Sequence, residues 1–158
     1  MASLKEQVLA MVPEGEELKP EEFSNLILDD LDITELNADD KKFIEGFTNM
    51  ELFAMNSTGI KNLNNMPDAP KLLRVEMNDN YLSGNDLKNL LKYPELRVIK
   101  FGNNNVKDLD EIQQLVPLAH IMNLDFSENP VTMVNGYKEE MWKLFPGLLI
   151  LDGLDKEG

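Results

Sequence analysis

The chain has 158 residues, with 29 acidic against 15 basic, a net charge of −14 and no cysteine. So negative a field repels a phosphate backbone, no cluster of Lys and Arg offsets it, and direct nucleic-acid binding is excluded while basic partners are favoured. Without cysteine there is neither a disulfide framework nor thiolate chemistry, and no stretch approaches the roughly 20 apolar residues that span a bilayer.

Ser3-Leu4-Lys5-Glu6 has capping-box spacing and leads into Val8, Leu9 and Val12, which predicts an amphipathic first helix. Lys5 and Glu6 interrupt any apolar run there, so no secretory signal is read and a soluble intracellular protein is expected. Charge is uneven along the chain. Residues 1–45 hold 13 acids and 4 bases, a net of −9, and residues 46–158 hold 16 and 11, a net of −5.

One phrase then recurs: apolar, two free, apolar, one free, apolar, two free, polar, one free, apolar. It appears weakly at Phe23, Leu26, Leu28, Leu31 and Ile33, and again at Met50, Phe53, Met55, Thr58 and Ile60. Leu72, Val75, Met77, Asn80 and Leu82 form the third copy, and Leu96, Ile99, Phe101, Asn104 and Val106 the fourth. Ile121, Leu124, Phe126, Asn129 and Val131 form the last. The ninth position falls at 31, 58, 80, 104 and 129, in steps of 27, 22, 24 and 25, which is the signature of leucine-rich repeats.

Each copy is a strand with a return segment, and only stacked copies bury the inward side chains. The asparagines at 80, 104 and 129 are read as satisfying backbone groups of the turn, with Leu31 and Thr58 in their place earlier. Among the returns, Asp86 to Tyr93 carries Leu87, Leu90 and Leu91 at helical spacing and stops at Pro94, while Asp108 to Val116 reads as a turn or two. Tyr137 to Phe145 reads as a helix, Leu148 and Leu151 as a last strand, and Asp152-Gly153 as a turn. The expected fold is therefore α/β. It is a curved leucine-rich repeat solenoid with a parallel sheet on the concave face, a helical N-terminal cap and a strand/helix C-terminal cap. All 158 residues form a single domain: cap 1–22, five repeats 23–135, cap 136–158.

No chemistry-bearing constellation is found. His120 is the one histidine and has no Cys or His partner at ligand spacing, glycines occur singly or in turns such as Asn135-Gly136, and no loop cradles a phosphate. Asp29-Asp30 and Asp39-Asp40 sit in a chain rich in acids, with nothing to set them across a pocket. Trp142 is read as packing on the cap helix. The expectation is no enzyme, no cofactor and no metal.

Function is expected on the concave face, at strand positions pointing away from the core. These are Asn25, Ile27, Asp29 and Asp30, then Leu52, Ala54, Asn56 and Ser57, then Arg74, Glu76, Asn78 and Asp79. Val98, Lys100, Gly102 and Asn103 follow, and Asn123, Asp125, Ser127 and Glu128 close the series. Six acids face two bases. The proposed protein-binding set is Asp29, Asp30, Asn56, Arg74, Glu76, Asp79, Lys100, Asn103, Asp125 and Glu128, a cradle for a cationic segment read through charge and spaced hydrogen bonds. Exposed apolar Ile27 and Leu52 lie in the same face.

Asp79-Asn80, Ser83-Gly84, Gly102-Asn103-Asn104, Val106-Lys107-Asp108-Leu109 and Leu151-Asp152-Gly153, with the Tyr137 to Leu144 helix before Pro146, resemble the acidic leucine-rich nuclear phosphoprotein family. The resemblance covers nearly the whole chain and is clearest from Leu72 to Asp155. It implies a non-catalytic repeat domain of nucleus and cytoplasm that binds histones as a chaperone, inhibits type 2A protein phosphatase, and regulates transcription and apoptosis. A monomer with no membrane partner is expected. Members of that family continue into a long Asp/Glu-rich tail, which is expected to follow Gly158 in the full-length protein. The alternative is a structural scaffold resembling the A-prime protein of a spliceosomal small nuclear ribonucleoprotein, gripping an RNA-binding partner domain; Asn129-Pro130-Val131-Thr132 looks like its last repeat.

Overall fold

The structure is a computed structural model and describes residues 2–158. Ser3 and Glu6 form the reciprocal capping box that starts helix α1 (Leu4–Leu9): Ser3 Oγ accepts from the Glu6 N–H at 3.1 Å, and Glu6 Oε2 accepts from the Ser3 N–H at 3.4 Å. Leu4 and Val8, one turn apart, are its buried face. A 3-10 turn at Pro20–Glu22 delivers the chain to strand β1 (Asn25–Ile27).

Five more strands follow: β2 (Leu52–Ala54), β3 (Arg74–Glu76), β4 (Val98–Lys100), β5 (Asn123–Asp125) and β6 (Ile150–Leu151). They form one parallel sheet in sequential order, the curved solenoid the period predicts. The register sets Leu26, Phe53, Val75, Ile99, Leu124 and Leu151 side by side as one inward row, every member buried. Leu28, Met55, Met77, Phe101 and Phe126 make a second buried row, and Phe101 meets Phe126 with ring centroids 6.1 Å apart. These rows join the buried apolar side chains into one core, which is the main favourable term in the fold.

The asparagine ladder closes the turn below the sheet. Asn80 donates to the Met55 and Met77 carbonyls at 2.8 and 3.1 Å and accepts from the Thr58 and Gly59 N–H groups, both at 3.0 Å. Asn104 donates to Met77 and Phe101, and Asn129 to Phe101 and Phe126, each accepting one N–H of the preceding repeat. Thr58 recovers one of these bonds, its hydroxyl donating to the Met55 carbonyl at 3.3 Å. Leu31 can make none.

The returns are short. Helix α2 (Ala38–Glu45) is capped by Asn37 and Asp40 and lengthens the first step to 27 residues; the repeat pattern alone does not foretell it. The segment expected as a helix over Asp86 to Tyr93 is instead a 3-10 turn at Gly84–Leu90. Three residues per turn align Leu87 with Leu90, both buried, and leave Leu91 exposed. Helix α3 (Leu109–Gln113) starts at an Asp108–Glu111 capping box, and Gln114 donates to the Gly84 carbonyl at 3.0 Å, tying two returns together. The buried Tyr93 hydroxyl donates to the Pro67 carbonyl, and burial pushes its phenol well above the ordinary range.

A 3-10 turn at Pro130–Met133 precedes helix α4 (Tyr137–Leu144), which starts from Gly136 in a left-handed conformation, φ 82°. Asp152, just past β6, accepts from the Phe126 N–H at 2.7 Å and from the Tyr137 hydroxyl at 2.9 Å, so one carboxylate joins α4, β5 and β6. Burial raises the Asp152 carboxyl and the Tyr137 phenol above their usual values. Trp142 packs partly buried against the core. His120 is exposed, 3.9 Å from Glu95.

Candidate protein-binding face

The open face of the sheet divides into a strand floor and a rim where the strands end. On the floor the side chains two residues apart share a face. Arg74 and Glu76 do so on β3, and Arg74 Nε donates to Glu76 Oε2 at 2.7 Å. The register places Glu76, Lys100 and Asp125 next to one another across β3, β4 and β5, acid, base, acid. Neighbouring strands lie about 4.8 Å apart, so Lys100 sits within reach of both carboxylates' fields. Its ammonium hydrogen-bonds Asn123 Oδ1 at 3.4 Å. All four charged side chains are half-buried, two acids against two bases, and Arg74–Glu76 is the ion pair between them among the described residues.

Asp29 and Asn56 are held by the backbone of the following repeat. Asp29 Oδ1 accepts from the Asn56 N–H at 2.9 Å, Asn56 Oδ1 from the Asn78 N–H at 2.8 Å, and Asn78 Oδ1 from the Gly102 N–H at 2.6 Å. This second ladder stops at Gly102, which has no side chain to continue it. Asn56 also donates to Asp29 Oδ2 and to Glu76 Oε1, both at 3.2 Å. Asp125 turns an oxygen to its own segment, accepting from the Ser127 N–H at 2.9 Å. Ala54 and Gly102, read as open positions, are buried, and at Gly102 the Asn78 side chain and the Ser127 carbonyl lie where a Cβ would stand.

The rim is different. Asp30, Ser57, Asp79, Asn103 and Glu128 occupy the same position in five successive turns, and all have positive φ, between 51° and 66°. Outside glycine this conformation favours Asn and Asp, whose short polar side chains tolerate it. Part of the acidity that composition alone leaves unexplained therefore has a backbone cause. Asp30, Asp79, Asn103 and Glu128 are nonetheless exposed. Asn103 donates to Asp79 Oδ1 at 3.0 Å, whereas Asp30 and Glu128 make no side-chain hydrogen bond or ion pair among the described residues. Tyr81, 74% exposed, stands two residues beyond Asp79.

The ten predicted residues thus lie on one continuous face but in two kinds of setting. Asp29, Asn56, Arg74, Glu76, Lys100 and Asp125 are engaged on the floor; Asp30, Asp79, Asn103 and Glu128 form an exposed rim. Sequence reasoning missed the rim as a separate row, although the position immediately before each ninth residue carries it.

No family model matches the chain. Among relatives, it is 33% identical over 118 residues to histone H2A.Y of Tetrahymena thermophila, covering 75% of this chain and 30% of that protein. It is 30% identical over 140 residues to an acidic leucine-rich nuclear phosphoprotein 32-related protein of Plasmodium falciparum, covering 87% of this chain and 50% of the relative. It is 31% identical over 129 residues to acidic leucine-rich nuclear phosphoprotein 32 family member A of Drosophila melanogaster, covering 78% and 49%. The chain spans half or less of the length of these relatives. Among solved structures, the Drosophila melanogaster SNF/U2A′ complex aligns with a TM-score of 0.70 at 23% identity, over 84% of this chain and 74% of that one, a likeness of fold.

Proposed function

Because the chain belongs to the acidic leucine-rich nuclear phosphoprotein 32 family and carries its leucine-rich repeats, we propose that it is a non-enzymatic protein-binding module. Its concave rim takes up basic partners, with histones first among them. The observation that carries this reading is the rim: Asp30, Asp79 and Glu128 are exposed and none has a cation partner among the described residues, while Arg74 pairs with Glu76 and Lys100 bonds Asn123 on the floor. A cationic segment laid across the strand ends would meet these carboxylates in series, with the Asn103 amide between two of them. Family membership and the likeness to part of a protein named a histone support histones as the partner to test. Inhibition of a type 2A protein phosphatase would use the same acidic row. The family's name supports action in the nucleus, and a cytoplasmic pool belongs to the same proposal.

Core histones titrated over a salt series test this. Binding should weaken steeply with salt, and Asp79→Asn with Glu128→Asn should lower affinity at low salt by about tenfold. Asn keeps the preference for the left-handed backbone, so the fold should hold. Unchanged affinity in the folded double variant rules the rim out.

A second reading is a scaffold for one specific partner domain, and half-exposed Ile27 on the same face favours it. One solved structure of similar fold is that of the SNF/U2A′ complex. A scaffold of that kind predicts one partner, bound with little dependence on salt.

A further inference from the structure

We propose that the outer edge of β1 is a second docking site, which takes an extended basic peptide segment with apolar residues at alternate positions. It is independent of the rim. β1 is the terminal strand of the sheet, and its bonds to β2 are made by even-numbered residues. Ser24 O accepts from the Glu51 and Leu52 N–H groups, and Leu28 and Asp30 donate to Ala54 O and Asn56 O. Alternation along a strand then turns the N–H and C=O groups of Asn25 and Ile27 outward, where no strand pairs with them. The N-terminal cap buries Leu4 and Val8, and no described backbone group of it bonds to Asn25 or Ile27.

Beside the edge lies an apolar groove of about 370 Å³, bounded by Val8, Met11, Leu18, Phe23, Ile27 and Phe47. Met11 is 59%, Phe23 45% and Ile27 50% exposed, so the lining is both apolar and accessible. Free backbone groups next to apolar pockets are what strand addition uses: the ladder supplies affinity and alternate side chains supply specificity. Charge selects the occupant. Segment 13–22 carries five glutamates against Lys19, all five glutamates are exposed, and Glu16 and Glu17 line the groove. A second copy pairing edge to edge would set one net charge of −9 against another, which disfavours self-association. An acidic strand is rejected for the same reason. A strand bearing Lys or Arg on one face and apolar residues on the other satisfies backbone, groove and charge together.

The test uses the whole chain and an array of synthetic peptides of about eight residues, ordinary strand length, alternating Lys or Arg with Val, Ile, Leu or Phe. Members of the array should bind. The bound state should slow amide hydrogen exchange at Asn25 and Ile27, while glutamate-substituted counterparts should fail. Ile27→Lys should weaken binding by about tenfold or more. Ile27→Pro should do likewise, because it deletes an outward donor and spares the bonds to β2. Asp79→Asn with Glu128→Asn, two and four strands away, should leave affinity within about twofold. The proposal is overturned if no peptide of the array binds, if protection falls on other strands, or if both Ile27 variants bind like the parent. Concentration-dependent dimers that protect Asn25 and Ile27 without peptide would overturn it too.

Discussion

The repeats of β3, β4 and β5 and the two that precede them close the same turn with different means. From Asn80 onward each turn is fastened by an asparagine that reaches two carbonyls and at least one N–H across neighbouring repeats. At Thr58 a hydroxyl makes one of those bonds, and at Leu31 none is made. There an aromatic cluster takes over: Phe47 meets Phe43 and Phe23 edge-on, with centroids 5.8 and 6.1 Å apart, under the extra helix α2. The difference teaches that polar closure goes with the shorter steps, of 22 to 25 residues. A longer return can substitute apolar packing for it.

The comparison can be broken by truncating each half's own fastener. Phe101→Ala removes a buried ring from the regular half and should cost about 3–5 kcal/mol in chemical denaturation; a loss under about 1 kcal/mol would mean the register is wrong. Asn129→Ala strands two carbonyls and the Val106 N–H and should cost about 2–3 kcal/mol, against about 1 kcal/mol for Thr58→Val, whose one hydroxyl proton is shared between the Met55 carbonyl and Asn80 Oδ1. Equal losses at the two sites would erase the distinction between the halves. Asp79→Asn with Glu128→Asn should move stability by less than about 0.5 kcal/mol, since both side chains are exposed.

The smallest effect is one of pH and concerns the C-terminal seal. Burial raises the Asp152 carboxyl, so its protonated form is favoured in the fold. That contribution is full below the unfolded carboxyl's value and is lost as pH rises through the raised one. Asp152→Asn has no such dependence. Its stability relative to the parent should therefore improve between about pH 3 and pH 7. A difference that is flat, or slopes the other way, would show that the Phe126 and Tyr137 bonds outweigh desolvation.

Most of the sheet was legible because its pattern is stereochemical. Val75 and Leu124 stand between polar neighbours at period two, Phe53 and Ile99 keep the same place in the repeated phrase, and the asparagine at 80, 104 and 129 marks where those three strands end. Other features depend on geometry that composition blurs. Helix α2 announces itself only through Asn37 and Asp40, a capping pair hidden in a run of acids. Leu91 fits helical spacing as well as Leu87 does, and only the tighter 3-10 winding leaves it outside. At the binding face, outward direction could be counted from the strand, but engagement could not. Asp29 and Asp30 are adjacent acids, yet one holds the next repeat's backbone and the other is free. The open edge of β1 depends on what the cap does not cover, and no local pattern encodes that.

The row of left-handed residues along the rim also sets what variation the molecule tolerates there. Asp and Asn fit that backbone alike, so exchanging one for the other at 30, 79 or 103 would alter charge and leave the chain's path untouched. Asp79→Asn combined with Asn103→Asp would shift a negative charge one strand along the row at no change in total. Partner preference at this surface can therefore drift by single exchanges that folding does not oppose.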